Sequence, residues 1–263
     1  MAKALPKPNL TAGSLYSQSA RLIFQRHRSL IIQPILIILL SAGLAITLSQ
    51  AHLDVIEKVT INKKFIFRAI QDHLILSFAS AAVILAVAVP AGILLTRRRY
   101  KKFTPVVLIL ANIGQAFPAV GVLIIAGILF GFGKPIAIFS FAAFGILPIL
   151  RNTIVGLQEI DPFIIESAMG MGMTPKQALR QIELPLAVPV ILAGVRTTLI
   201  LTVGVATLGV FVNGGGLGTL IIPGLKLNRE LVLVTGGMLT VIVAFTMDWL
   251  ARAAEELLRP RGI

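Results

Sequence analysis

Six long apolar runs alternate with polar segments along the chain. At about 1.5 Å per residue, a run of roughly 20 residues reaches the ~30 Å thickness of a bilayer's hydrocarbon core. The six runs cover residues 30–48, 74–95, 106–130, 135–157, 186–212 and 231–250. The pattern therefore predicts an all-α membrane protein with about six transmembrane helices.

The polar segments divide the chain into four parts. Residues 1–28 are predicted as a basic N-terminal tail, and residues 29–72 as the first span with an external loop. Residues 73–252 form a core of five spans that contains a polar segment at 158–185, and residues 253–263 form a C-terminal tail. The first apolar run lies too far from the N-terminus for a typical signal peptide, so we expect a retained anchor.

The polar segment at 158–185 carries the signals of a first short helix that ends at a glycine. Asp161 can cap the helix N-terminus, and Pro162 suits the first helical position, where its missing N–H costs nothing. Gly172 suits a left-handed turn after the helix, because it has no Cβ to clash.

The same segment predicts a second short helix. Thr174 and Gln177 have the spacing of a capping box, with Pro175 in the first turn. Pro185 is predicted to end this helix, because a proline pushes the preceding residue out of the α region. The segment is thus expected to form a compact helix-turn-helix knob between the fourth and fifth spans.

The spacing of residues in this segment resembles a known signature, the EAA loop of permease subunits in binding-protein-dependent ABC importers. That signature reads Glu-Ala-Ala, three residues, Gly, nine residues, Ile, one residue, Leu-Pro. The matching residues are Glu166, Ala168, Gly172, Ile182, Leu184 and Pro185, and Ser167 replaces the middle alanine.

This resemblance implies a type I ABC importer permease fold with a cytoplasmic coupling helix between the fourth and fifth spans. In that family the loop docks on a cytoplasmic ATPase. The residues expected to serve ATPase coupling are Glu166, Ser167, Ala168, Gly172, Thr174, Ile182, Leu184 and Pro185. The Gly172→Val variant is expected to lose transport while still inserting into the membrane. The other interpretation is a capped loop that only closes a membrane hairpin.

The composition agrees with a membrane protein, since 56% of residues are hydrophobic and only 13% are charged. The chain has no cysteine, which excludes disulfides and thiolate metal sites. His27, His52 and His73 lie near span ends without metal-ligand spacing, and interfacial solvation is their expected role. We therefore predict no metal site.

The net charge of +13 comes from basic residues that flank apolar runs, which favours membrane topology over nucleic-acid binding. With both termini inside, the inner segments hold most cations, including the cluster at 97–102. This positive-inside bias places the segment at 158–185 in the cytoplasm. The resemblance implies a multi-pass protein of the bacterial cytoplasmic (inner) membrane, in contact with lipid.

The third apolar run contains polar residues and a proline, which are costly inside a bilayer unless they face protein or a watery cavity. The candidates for a translocation path are Asn112, Gln115, Phe117 and Pro118. Hydrogen bonding between helices and a kink explain them equally well. In the last run, Asp248 is expected to snorkel or to pair with a basic neighbour.

No catalytic constellation is evident. The glycine run at 213–219 lacks the Gly-Lys-Ser/Thr ending of a phosphate loop, and a tight turn explains it better. No Walker A sequence or nucleophile–base pair is present. We therefore expect a chain that is not an enzyme and holds no cofactor, with ATP and Mg bound by a partner ATPase.

Within the importer family, the chain is most similar to osmoprotectant permeases for glycine betaine, choline or carnitine. The stretches at 145–153, 170–174 and 193–197 carry this similarity. It implies an ABC ATPase dimer, a second permease subunit (identical or related) and an extracellular or periplasmic substrate-binding protein as partners. A related permease for amino acids or methionine and an ATPase-independent channel are the alternatives.

Overall fold

The computed structural model describes residues 12–258, and the side chains of residues 30–257; no strand occurs within that part. Its helices are α1 Ala12–Gln50, α2 Val55–Thr60, α3 Lys63–Thr96, α4 Thr104–Ala116, α5 Ala119–Phe130, α6 Lys134–Gln158, α7 Pro162–Gly170, α8 Pro175–Ala178, α9 Leu184–Ala206, α10 Gly218–Lys226 and α11 Glu230–Leu258. Helix α1 begins inside the predicted N-terminal tail and α11 continues into the predicted C-terminal tail. Residues 1–11 and 259–263 of those tails lie outside the described residues.

Five of the described helical segments are long and apolar enough to cross a membrane, and the pair α4–α5 makes a sixth crossing if it is counted as one span. The predicted all-α architecture with about six spans is confirmed. A continuous third span over 106–130 is wrong, because α4 and α5 meet at an angle of 92°. Pro118 has no N–H and forces Phe117 into an extended conformation (φ −66°, ψ 144°), which ends α4.

Helices α3, α6 and α9 pack together at the centre of the protein. Small residues allow this close approach: a Cβ on Gly92 would lie 2.7 Å from the Thr153 side chain, and one on Gly194 would lie 2.9 Å from Asn152. Transmembrane helices commonly use small residues in this way, because dispersion contacts replace the hydrophobic effect between helices in lipid. The three central helices thus form a rigid frame.

Helix α1 lies at the edge of this frame and packs on α11, with most of its span exposed. Two hydrogen bonds join the two helices. Gln33 Nε2 donates to Asp248 Oδ2 at 2.5 Å, and Trp249 Nε1 donates to the Leu30 carbonyl at 3.0 Å. Asp248 also forms ion pairs with Arg196 of α9 and Arg252 of α11, so the expected pairing of this acid with basic neighbours is confirmed.

The glycine run forms the predicted tight turn over its first residues, and α10 begins at Gly218. Gly215 and Gly216 have φ of +82° and +88°, a region that favours glycine. The Leu217 N–H donates to His73 Nδ1 at 3.3 Å. Interfacial solvation of His73 is therefore wrong: its side chain is fully buried, because it fills the space between α3 and this turn and accepts a backbone donor there.

Candidate functional site

The polar segment at 158–185, hereafter the knob, begins with the predicted capped helix. Asp161 Oδ1 accepts a hydrogen bond from the Phe163 N–H at 2.9 Å, and Pro162 occupies the first turn of α7. After α7 the Met173 N–H donates to the Ala168 carbonyl at 3.2 Å, which closes the helix end. Gly172 has φ +89°, as its position after the helix predicts.

The second helix of the knob starts at the predicted capping box. The Thr174 N–H donates to Gln177 Oε1 at 2.8 Å, and the Gln177 N–H donates to Thr174 Oγ1 at 3.4 Å. These bonds satisfy backbone donors that a helix start leaves unpaired. The sharp turn between α7 and α8 is thus held by local chemistry at both ends.

The prediction that Pro185 ends this helix is wrong. Residues 175–206 are helical without interruption, through a π turn at Leu179–Glu183 in which the Leu184 N–H donates to the Leu179 carbonyl. Pro185 lies in the first turn of α9, where the wider π turn needs no N–H from it. The knob is therefore directly continuous with the fifth span.

An apolar cluster seats the knob on the spans. Leu157, Ile160, Ala187 and Ile191 are buried together, and Ile165, Leu179 and Leu184 of the knob pack against them. Ala168 and Ala178 are each 2% exposed. Of the motif residues, Ile182, Leu184 and Pro185 are half-buried at this base.

The opposite side of the knob is exposed and carries both charge and large apolar groups. Glu166, Ser167, Gly172 and Thr174 are exposed there. Phe163 is 72% exposed and Met171 is 74% exposed. Large apolar side chains exposed together with polar groups are typical of a protein–protein contact.

Two charged residues at the base of the knob were not assigned from the sequence. Glu183 is buried, and Arg97 at the end of α3 donates to both of its carboxylate oxygens, at 3.0 and 2.5 Å. The motif leaves the position of Glu183 open, between Ile182 and Leu184, and Arg97 belongs to the basic cluster at 97–102. The signal in the sequence that could have indicated this ion pair was a single acid in an apolar stretch.

The structure brings the four candidate path residues together at the α4–α5 break. Asn112 and Gln115 lie in the second half of α4, Phe117 is the residue at the bend, and Pro118 precedes α5. Asn112 Nδ2 donates to the Leu108 carbonyl of its own helix at 2.8 Å, so no hydrogen bond to a neighbouring helix explains it. Asn112, Phe117 and Pro118 are exposed, and Gln115 is partly so.

The knob presents a rigid contact surface continuous with a span, and the broken span presents amides within an apolar layer. Among residues 30–257, whose side chains the structure describes, no group of three or more His, Asp or Glu could hold a metal ion.

Comparisons with known proteins agree with this arrangement. Residues 88–260 match the family described as "Binding-protein-dependent transport system inner membrane component". The choline transport system permease protein OpuBB of Bacillus subtilis is 39% identical over 192 residues, which cover 73% of this chain and 88% of that protein. The osmoprotectant import permease protein OsmY of Salmonella typhimurium is 40% identical over 193 residues, which cover 73% of this chain and 82% of that protein.

A solved structure shares the fold. The chain superimposes on a chain of the methionine ABC transporter MetNI in an inward-facing conformation with a TM-score of 0.64 and 23% identity. The match covers 76% of this chain and all of that one.

Proposed function

The chain belongs to the family of binding-protein-dependent transport system inner membrane components, and on that premise we propose that it is the permease of an ATP-driven importer for a quaternary-amine osmoprotectant. Glycine betaine, choline and carnitine are the substrates of this class. The observation that carries the substrate class is the 39% identity to a choline permease, over 88% of that protein's length. The relative from Salmonella typhimurium, an osmoprotectant permease, supports the same class.

The knob docks on a cytoplasmic ATPase dimer, which binds ATP and Mg. The exposed surface around Glu166, Phe163 and Met171 has the mixture of charge and large apolar groups that such a contact uses. Ser167, Gly172 and Thr174 shape this surface. Ala168, Ile182, Leu184 and Pro185 form its base, so that a push on the surface reaches the spans.

The knob faces the cytoplasm of a bacterium, and both chain termini lie on that side of the inner membrane. Arg97 contacts the base of the knob, so the basic cluster at 97–102 and the knob lie at the same end of the molecule. Cations collect on the cytoplasmic side of membrane proteins. The structure thus supports the orientation by placing two separate basic and polar segments together.

A second permease subunit, identical or related, completes the translocation path. Irregular backbone at membrane depth is tolerated only where protein or water covers it, yet the α4–α5 break is exposed in this chain. We assign Asn112, Gln115, Phe117 and Pro118 to the path at the contact between the two subunits. A separate extracellular or periplasmic binding protein delivers the substrate and supplies the aromatic groups that recognise a quaternary ammonium.

Transport follows from rigid-body movement. ATP binding closes the ATPase dimer, the two knobs follow, and α9 moves with each knob because residues 175–206 form one continuous helix. The spans then alternate between outward- and inward-facing arrangements. The chain itself supplies binding geometry and motion, and the ATPase supplies the energy.

Uptake of radiolabelled glycine betaine tests this function. Cells with and without the gene are compared at low and high osmolarity, and again with the partner ATPase inactivated. ATPase-dependent uptake that disappears with the gene is expected. Uptake through this chain without the ATPase would indicate a channel and contradict the importer, and unchanged uptake in the absence of the gene would contradict the substrate class.

A further inference from the structure

The ion pair between Arg97 and Glu183, in which only the Glu183 carboxylate is buried, lies where the knob meets the second span. Arg97 is the residue that follows α3, and its Nε also donates to the Ile93 carbonyl at 3.3 Å. The Glu183 side chain is only 6% exposed. The guanidinium is therefore held at one end by α3 and at the other by the knob.

Apolar side chains surround Glu183, so its carboxylate needs a cationic partner. Val89 and Ile93 of α3 pack into the same cluster as Leu184 and Leu179. An unpaired carboxylate in such a place is costly, whereas a planar guanidinium matches both of its oxygens. Replacing a buried ion pair with apolar groups is often neutral for stability, so such a pair is better understood as fixing relative position.

Glu183 occupies the last position of the π turn between α8 and α9. The turn is the junction through which any displacement of the knob enters the fifth span. π turns are rare and frequently occur at functional sites. Because Glu183 lies at this junction, a displacement of the knob also moves Glu183, and Glu183 is bound to Arg97.

We propose that the Arg97–Glu183 pair is a transmission contact that makes the second span move with the knob. This inference rests on the proposed importer function and adds a positioning role to two residues outside the signature. Helices α6 and α9 are joined to the knob by the chain itself, but α3 is not. Without the pair, a displacement of the knob reaches α3 only through the apolar packing of α3 on α6, α9 and the knob.

The test uses the complete complex of permease, ATPase and binding protein in proteoliposomes, with glycine betaine uptake and ATP hydrolysis measured together. Arg97→Gln and Glu183→Gln are each expected to lower uptake per ATP hydrolysed by about fivefold or more, the lower end of typical coupling between sites. The matched control is Arg98→Gln, at the exposed neighbouring arginine, which should leave the ratio unchanged.

A double variant separates transmission from simple stability. Arg97→Met with Glu183→Leu fills the site without leaving a charge unpaired, so its melting temperature in detergent should return toward that of the wild type. Uptake per ATP hydrolysed should stay low, because the two hydrogen bonds between the guanidinium and the carboxylate are absent. Recovery of both properties, or an equal loss of coupling in Arg98→Gln, would overturn the proposal.

The wild-type complex distinguishes this proposal from the function on which it rests. If it shows no ATP-driven uptake, the importer function itself fails and the transmission contact fails with it. If the wild type is active and the Arg97 and Glu183 variants match it, only the transmission contact is overturned.

Discussion

Asp248 of α11 and Arg196 of α9 form an ion pair that joins the last two spans. Arg252 adds a second charged contact to the same carboxylate at 3.2 Å, and Gln33 of α1 donates to it at 2.5 Å. One carboxylate therefore links three helices. An ionisable group within a span is costly unless it is paired, and here the partners come from α1, α9 and α11 itself.

Asp248→Asn is expected to lower the stability of the protein, while its uptake remains driven by the ATPase. The substitution removes the carboxylate that compensates Arg196, and since Arg196 keeps part of its side chain exposed, we expect a cost of about 2 kcal/mol, below the ~3–5 kcal/mol of a fully buried pair. The melting temperature in detergent should fall by roughly 4–8 °C. Glu159→Gln, an exposed acid, is the control. Loss of all uptake by a well-folded Asp248→Asn protein would contradict a structural role.

Gly218→Ala should prevent normal folding of the turn before α10. A Cβ at this position would lie 1.8 Å from the Thr207 carbonyl oxygen, which is backbone and cannot rotate away. We expect strongly reduced abundance in the membrane, measured by immunoblot and by gel filtration in detergent. Gly237→Ala is the control, because nothing lies within 4 Å of its Cβ and alanine favours a helix by about 1 kcal/mol. Wild-type abundance of the Gly218→Ala protein would contradict the close approach of residue 218 to the Thr207 carbonyl oxygen.

Gly172→Val should impair uptake while leaving insertion intact. Nothing lies within 4 Å of a Cβ here, so the cost comes from φ +89°, where a side chain strains the backbone by about 1–2 kcal/mol, and more when it is β-branched. The turn between α7 and α8 would then adopt another shape. Gly170→Val, at the last residue of α7, is the matched control two residues away, with equal space and no positive φ. Uptake is measured per molecule of membrane-inserted protein, and equal activity of the two variants would contradict the prediction.

His73→Leu should loosen the glycine turn at the end of the fifth span. It removes the acceptor of the Leu217 N–H, and a buried donor without a partner costs about 1–3 kcal/mol. His73→Asn places an amide oxygen near the position of Nδ1 and should retain most of the stability. Melting temperatures and protease cleavage within residues 213–217 compare the two variants. A leucine variant as stable as the asparagine variant would show that the hydrogen bond contributes little.

Much of this architecture could be predicted because its causes are local. The spans follow from apolar runs long enough to cross a bilayer, and the ends of α7 and α8 follow from cap residues that act within three positions. Asp161, Gly172, Thr174 and Gln177 all behave as their neighbours in sequence dictate.

Two of the incorrect predictions concern prolines. The sequence predicts a single span through Pro118 and a helix end at Pro185, yet the chain bends by 92° at Pro118 and Pro185 lies inside a continuous helix. Proline forbids one hydrogen bond at its own position, but whether the chain bends, breaks or widens into a π turn depends on what packs around it.

The sequence by itself determined the membrane class, the approximate number of spans and the capped turn between α7 and α8, because hydropathy and helix capping act over short distances. Only the tertiary structure decided which charges meet. Glu183 pairs with Arg97 across 86 residues of sequence, and Asp248 pairs with Arg196 across 52. A single acid in an apolar segment indicates that the acid needs a charged partner, since an unpaired charge there is costly. Which residue becomes the partner depends on how the helices pack, and helix packing depends on the whole chain.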